Sequence, residues 1–130
     1  MVKVFATISF NVNDDLYAYI KERADQLELS QTALMSYMVD RVMEYLERFE
    51  INDYKRFKLD VARQNMDFVT SGKHSLYLSV KQNVYDDLVA FLSTSPKHES
   101  ISSGLRVLLT QYIILEDERV IMDDSTPCRH

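Results

Sequence analysis

Two stretches of the chain, about seventy positions apart, carry the same order of structural signals, and that repetition restricts the fold more than any other feature. The first opens with Val4, Ala6, Ile8, Phe10 and Val12 alternating with Lys3, Phe5, Thr7, Ser9 and Asn11, the period of a strand with one buried face. Asn13 then suits a helix cap, Asp14 and Asp15 lie where the helix dipole favours negative charge, and Leu16, Ile20, Ala24 and Leu27 follow at helical spacing. Ser30 reads as the cap of a second helix, whose apolar stripe runs from Leu34 and Met35 through Met38, Val39, Val42 and Met43 to Leu46. In the second stretch Lys73 stands for Lys3, Leu76, Leu78 and Val80 stand for Ala6, Ile8 and Phe10, and Leu105 and Leu109 stand for Met35 and Val39. Matching Leu88 to Leu16 predicts a strand-to-helix junction two residues longer in the second copy. It also predicts an inter-helix turn, Ser95–Ser100, that is two residues shorter, with the differences confined to loops.

Between the copies, Tyr54, Phe57 and Val61 at helical spacing predict a connecting helix that ends at Thr70-Ser71-Gly72. The expected organisation is therefore a first unit over 1–50, a helical linker over 51–72, a second unit over 73–116 and an acidic tail over 117–130. The expected fold class is mostly α with a short two-stranded antiparallel β-ribbon. Only two glycines and two prolines in 130 residues, 46% of them hydrophobic, agree with a mostly helical chain that buries a core. The single cysteine, Cys128, lies in the polar tail, so an intrachain disulfide is impossible and a reducing compartment is expected. Apolar runs such as 88–92 and 112–115 are far shorter than the roughly 20 residues of a membrane helix, and no signal peptide opens the chain. The sequence expectation is a cytoplasmic protein that makes no use of a membrane.

Strand, helix, short turn and longer helix in about forty-five residues, with Leu29-Ser30-Gln31-Thr32-Ala33-Leu34-Met35 at the second turn, resembles the ribbon-helix-helix (MetJ/Arc-like) DNA-binding family. In the second copy Ser100-Ile101-Ser102-Ser103-Gly104-Leu105-Arg106 resembles the family's start of its second helix, and the Ser95-Pro96-Lys97 turn is similar to that of plasmid-partition ParR members. The first inter-helix turn carries Glu28 where the family usually has glycine, and neither strand carries an arginine. The resemblance implies a tandem ribbon-helix-helix pseudo-dimer. One strand with two short helices cannot bury its inward row alone, so the copies are expected to pair within the chain, the other arrangement being exchange of copies between two chains.

The resemblance also implies a partner and a site. The partner is double-stranded DNA, and the base-facing row of the ribbon is Lys3, Thr7, Ser9 and Asn11 from one strand with Tyr77, Ser79 and Lys81 from the other. Alternation independently turns the same residues away from the core. The starts of the second helices, Ser30-Gln31 and Ser100-Ile101, are the expected phosphate clamps, because helix N-termini bind anions without basic side chains. Each position has an ordinary structural reading beside the functional one: short polar side chains suit any solvated ribbon, and serine at a helix start is first an N-cap. The expected role is a transcriptional repressor or a plasmid- or phage-type DNA-organising adaptor, with further homo-oligomers on DNA.

Net charge opposes that reading, because 15 basic and 20 acidic side chains give −5, whereas DNA affinity draws on lysine and arginine. The excess is uneven: residues 1–50 hold nine acids against five bases and 115–130 hold five against two, while 51–114 carry a slight positive excess. The alternative is an interaction protein on the same scaffold, binding a partner through its acidic helices, its tail, or Phe5 and Tyr77. No enzyme is expected. The pairs Asp14-Asp15, Asp86-Asp87 and Asp123-Asp124 are neighbours that point apart on a helix, and His74, His98, His130 and Cys128 lack metal-ligand spacing. No glycine-rich phosphate loop and no cofactor motif occurs.

Overall fold

Alternation in both predicted strands becomes one two-stranded antiparallel sheet of β1 (Phe5–Val12) and β2 (His74–Lys81) in a computed structural model that describes residues 5–97 and 99–118. The register sets Phe5 against Lys81, Thr7 against Ser79, Ser9 against Tyr77 and Asn11 against Ser75 on the outward side. On the other side Ile8, Phe10, Val12, Leu76, Leu78 and Val80 are buried. The strands are joined to α1 (Asp14–Leu27), α2 (Gln31–Arg48), α3 (Tyr54–Gln64), α4 (Met66–Val69), α5 (Gln82–Leu92) and α6 (Ile101–Glu118). The protein is thus mostly helical with a short ribbon, and the order β1-α1-α2 recurs as β2-α5-α6. No helix among the described residues is long and apolar enough to cross a membrane. Lys3, His98, Cys128 and the tail beyond Glu118 lie outside the described residues.

Local chemistry sets most helix boundaries. The Asn13 side chain accepts a hydrogen bond from the Leu16 amide at 2.9 Å, and Ser30 accepts one from the Ala33 amide at 3.0 Å, so both act as N-caps. Helix α1 ends with Glu28 in the left-handed region, φ 57°, while the Glu28 and Leu29 amides donate back to Asp25 and Ala24 carbonyls. Helix α2 ends in the same way, with Glu50 at φ 54° and Ile51 donating to Leu46. Glu28 therefore occupies a left-handed turn in the place where the family resemblance expects glycine.

The two copies correspond differently from the sequence alignment. Lys81 occupies the N-cap position of α5, as Asn13 does for α1, and its side chain makes no cap hydrogen bond. Buried Leu88 and Leu92 consequently match Ile20 and Ala24 rather than Leu16 and Ile20, and the strands correspond as Ile8 to Leu76, Phe10 to Leu78 and Val12 to Val80. The expected longer junction is absent because β2 runs straight into α5. The expected shorter turn is instead a longer one, spanning 93–100 against 28–30 in the first copy. A slip of one turn keeps the same apolar face of a helix inward, which is why the sequence pattern tolerated the wrong match.

The linker forms part of the core. It makes two helices instead of one, broken at Asn65, whose side chain accepts from the Phe68 amide at 3.1 Å. Tyr54 and Phe57 close an aromatic cluster with Phe91, each ring centroid 5.4 Å from that of Phe91. Val61 is fully buried beside them. With α2, β1 and α5 on other sides, this cover leaves α6 buried almost all round from Gly104 to Ile113. At the end of the linker Gly72 lies against the β1–α1 junction, where a Cβ would stand 2.6 Å from the Val12 carbonyl oxygen.

Candidate nucleic-acid interface

The pleat brings Thr7, Ser9, Asn11, Tyr77, Ser79 and Lys81 together on one outward face, because residues two apart on a strand share a side. Two further residues belong to that face. Phe5, half-exposed at 50%, stands opposite Lys81, and exposed Ser75 stands opposite Asn11. Ser75 was legible as the next alternate position before Tyr77. Across the ribbon the hydroxyls of Thr7 and Ser79 lie 3.3 Å apart, so these two short side chains form one polar step. Tyr77 is 61% exposed and dominates the centre of the face in size.

Each free edge of the ribbon is held by the start of a helix. On the β2 edge the Thr32 hydroxyl donates to the Tyr77 carbonyl at 3.2 Å and the Ser36 hydroxyl donates to the Ser79 carbonyl. On the β1 edge the Ser102 hydroxyl donates to the Ser9 carbonyl at 3.5 Å and Arg106 Nη1 donates to the Asn11 carbonyl at 3.0 Å. Thr32 and Ser102 occupy the second position of their helices, and Ser36 and Arg106 the sixth, so the two edges are built alike. These contacts pair side chains with edge carbonyls that a sheet of two strands leaves unpaired.

The expected phosphate clamps, Ser30, Gln31, Ser100 and Ile101, thereby lie at the helix ends that flank the ribbon. Ser30 is an N-cap as described, and Ser100 accepts from the Ser103 amide at 3.1 Å. A helix start leaves its first amides without intrahelical acceptors and carries partial positive charge. Neither α2 nor α6 has an acid in its first turn, whereas α1 carries Asp14 and Asp15 there.

Basic groups are sparse at this face. Lys81 is exposed at one end of the ribbon and its charge opposes the rise that burial imposes on the Asp40 carboxyl. Arg106, the last residue of the motif quoted for the family resemblance, was not among the expected site residues. It also donates through Nε to the Val69 carbonyl at 3.0 Å, and burial lowers its pKa from the ordinary arginine value. A cleft of about 400 Å³ lies beside it, lined by Ser9, Asn11, Ser71, Ser75 and Ser102. At the far side of β2, His74 stacks flat on Tyr17 with centroids 4.1 Å apart and meets Asp14 at 2.7 Å, which fastens α1 to the strand.

Comparison with known proteins adds no relative: no family model, curated protein or solved structure matches the chain.

Proposed function

We propose that the protein binds double-stranded DNA by laying the outward face of its ribbon in the major groove, and that its two strand-helix-helix segments act as a ribbon-helix-helix pseudo-dimer within one chain. The observation that carries this reading is the joint geometry of face and edges: a polar ribbon surface flanked on both sides by the start of an acid-free helix turn. A two-stranded ribbon has the width of the major groove, and its side chains meet base edges there. Asn11 has the donor and acceptor needed for adenine, Lys81 suits guanine or phosphate, and Thr7 offers a methyl for thymine. The helix starts at Ser30-Gln31 and Ser100-Ile101 supply amides for phosphates on either side, which reduces the demand for basic side chains in a chain of net charge −5. Gene repression and DNA organisation are the roles such binding serves.

Selection of bound fragments from random double-stranded DNA at low salt tests the reading. Enrichment of a common motif is the expected result. Failure to enrich any sequence favours a protein-binding scaffold, for which the exposed aromatics Phe5 and Tyr77 supply the apolar surface.

A further inference from the structure

A groove of about 620 Å³ runs between the second half of α2 and the length of α5. Its floor is apolar, formed by Met43, Leu46, Val84 and Phe91, and its rim is mostly acidic: Asp40, Glu44 and Glu47 on α2 and Glu50 just beyond its end face Asp87 on α5, while Lys81 borders the groove on the side of Asp40. On both helices the lining recurs every three or four residues. The groove therefore follows about three helical turns, roughly 15 Å, and has the form that receives another helix.

The matching place in the other half of the molecule is closed. There the cleft between α1 and the end of α6 measures about 290 Å³. Tyr19 and Arg23 reach across it to Glu116, both at 2.7 Å, and Phe68 of α4 packs on Tyr19. At the corresponding positions of α2 and α5 stand Leu46, Asp87 and Phe91, which make no such bridge, so the apolar floor stays open.

A complementary surface occurs on the same chain. The inward face of α3 is Tyr54, Phe57 and Val61, which leaves Lys55, Leu59 and Arg63 exposed in a row at i, i+4 and i+8. Leu59 is 53% exposed, and beyond it Met66 is 61% exposed, two of the larger apolar side chains left in solvent. Arg63 meets Asp60 at 3.5 Å on the surface, a pair worth little. This row is basic, apolar and basic over about 12 Å, the inverse of a groove that is acidic at the rim and apolar at the floor. A chain cannot insert its own α3 into its own groove, because the other face of α3 is packed in the core.

We infer that the α2–α5 groove of one molecule receives the α3 outer face of another, so that the protein associates head to tail. Leu59 sits on Met43 and Leu46, and Lys55 and Arg63 lie against the acidic rim. Such an interface is heterologous and leaves one groove and one α3 row free at the ends of every assembly. It adds chains in a line, and of the ribbon's described outward residues only Lys81 borders the groove.

Sedimentation velocity on the full chain at low salt gives the test. Mass should rise above the 15.2 kDa of one chain with increasing concentration and fall again with added salt. Two variants separate the surfaces: Glu44→Lys/Glu47→Lys reverses the rim, and Lys55→Glu/Arg63→Glu reverses the row. All four positions are exposed or at the surface, so circular dichroism should match the parent. Each variant alone should remain a single chain, whereas an equal mixture should associate, because the intact row of the first fits the intact groove of the second and the reversed row of the second meets the reversed rim of the first. A parent protein that stays monomeric up to hundreds of micromolar overturns the inference. So does a mixture that fails to pair, or a groove that captures a basic amphipathic peptide while the parent never self-associates, which would assign the groove to a different protein.

Discussion

Ser9 and Tyr77 face each other across the centre of the ribbon, and the main-chain carbonyl of each accepts a hydroxyl from the start of a different helix, Ser102 for Ser9 and Thr32 for Tyr77. The pair lies at the point about which the two edges are built alike. Positions related through it are Thr7 with Ser75, Asn11 with Ser79, and Ser9 with Tyr77 itself, and no two are identical. A ribbon of two identical chains would present the same side chains to both half-sites. Here the halves differ in size, hydrogen-bonding groups and aromatic content, so the preferred DNA sequence should be non-palindromic. Alignment of selected fragments checks this, and a strictly symmetric consensus would mean that like copies from two chains pair instead.

Within that face, Asn11 and Lys81 should affect binding in different ways. Asn11→Ala should cost about 1–3 kcal/mol on the preferred site and relax the choice of base at one position. Lys81→Gln should weaken every sequence similarly and reduce the salt dependence by about one counterion. Both residues are exposed, so thermal unfolding should be unchanged. Fluorescence anisotropy titrations over a range of salt concentrations distinguish the two patterns.

Much of this architecture was legible because its causes are local. Alternation in 5–12 and 74–81 follows from burial of one ribbon face, and the caps at Asn13 and Ser30 follow from hydrogen bonds that span three residues. The start of α5 was not legible, since Lys81 offers no capping side chain and nothing in the sequence marks the boundary. Without that mark, Leu16 aligned as readily with Leu88 as with Val84, one turn away on the same face. The edge contacts of Ser36 and Arg106 were beyond reach for a different reason. They join residues more than forty positions apart in sequence, and no local preference of serine or arginine reports a strand edge.

The left-handed turn at Glu28 offers a simple gain in stability. A side chain at φ 57° crowds the backbone, and glycine relieves that strain at the expense of more freedom in the unfolded chain. Glu28→Gly should therefore raise stability by about 0.5–1 kcal/mol, and a similar effect is expected for Glu50→Gly at φ 54°. Urea denaturation of the single variants measures both. A loss of stability would mean that the glutamate side chains contribute more than their backbone strain costs.

If the linker were only a tether, truncating Phe57 would matter little. Its ring is buried against Tyr54 and Phe91, so Phe57→Ala should cost about 3–5 kcal/mol. Leu59→Ala, on the solvent side of the same helix, should stay within about 0.5 kcal/mol in dilute solution. Equal effects for the two in denaturant titrations would contradict the core position of α3.

The bridge between Tyr19, Arg23 and Glu116 should make stability fall in alkali. Burial first, and then the Glu116 carboxylate that accepts from the phenol at 2.7 Å, hold the Tyr19 pKa well above its ordinary value. Both causes favour the neutral phenol in the folded state. The unfolded chain releases that proton near pH 10, roughly the free tyrosine value, while the folded chain keeps it to higher pH. The stabilisation is therefore complete below about pH 10 and is lost as pH rises from there through the folded value. Tyr54, pushed up to about 12 by burial, acts in the same direction. Urea denaturation between pH 8 and 11.5, on the order of the window these values define, should show the decline. Tyr19→Phe should be less stable at pH 8 by about 1–3 kcal/mol, through loss of a hydrogen bond to a carboxylate, and should decline less steeply in alkali. Glu116→Gln keeps the phenol but removes the charge that disfavours its ionisation, so its alkaline slope should lie between those of the parent and Tyr19→Phe. If the parent and Tyr19→Phe lose stability in parallel across that range, the proton on Tyr19 is not linked to the docking of α1 on the end of α6.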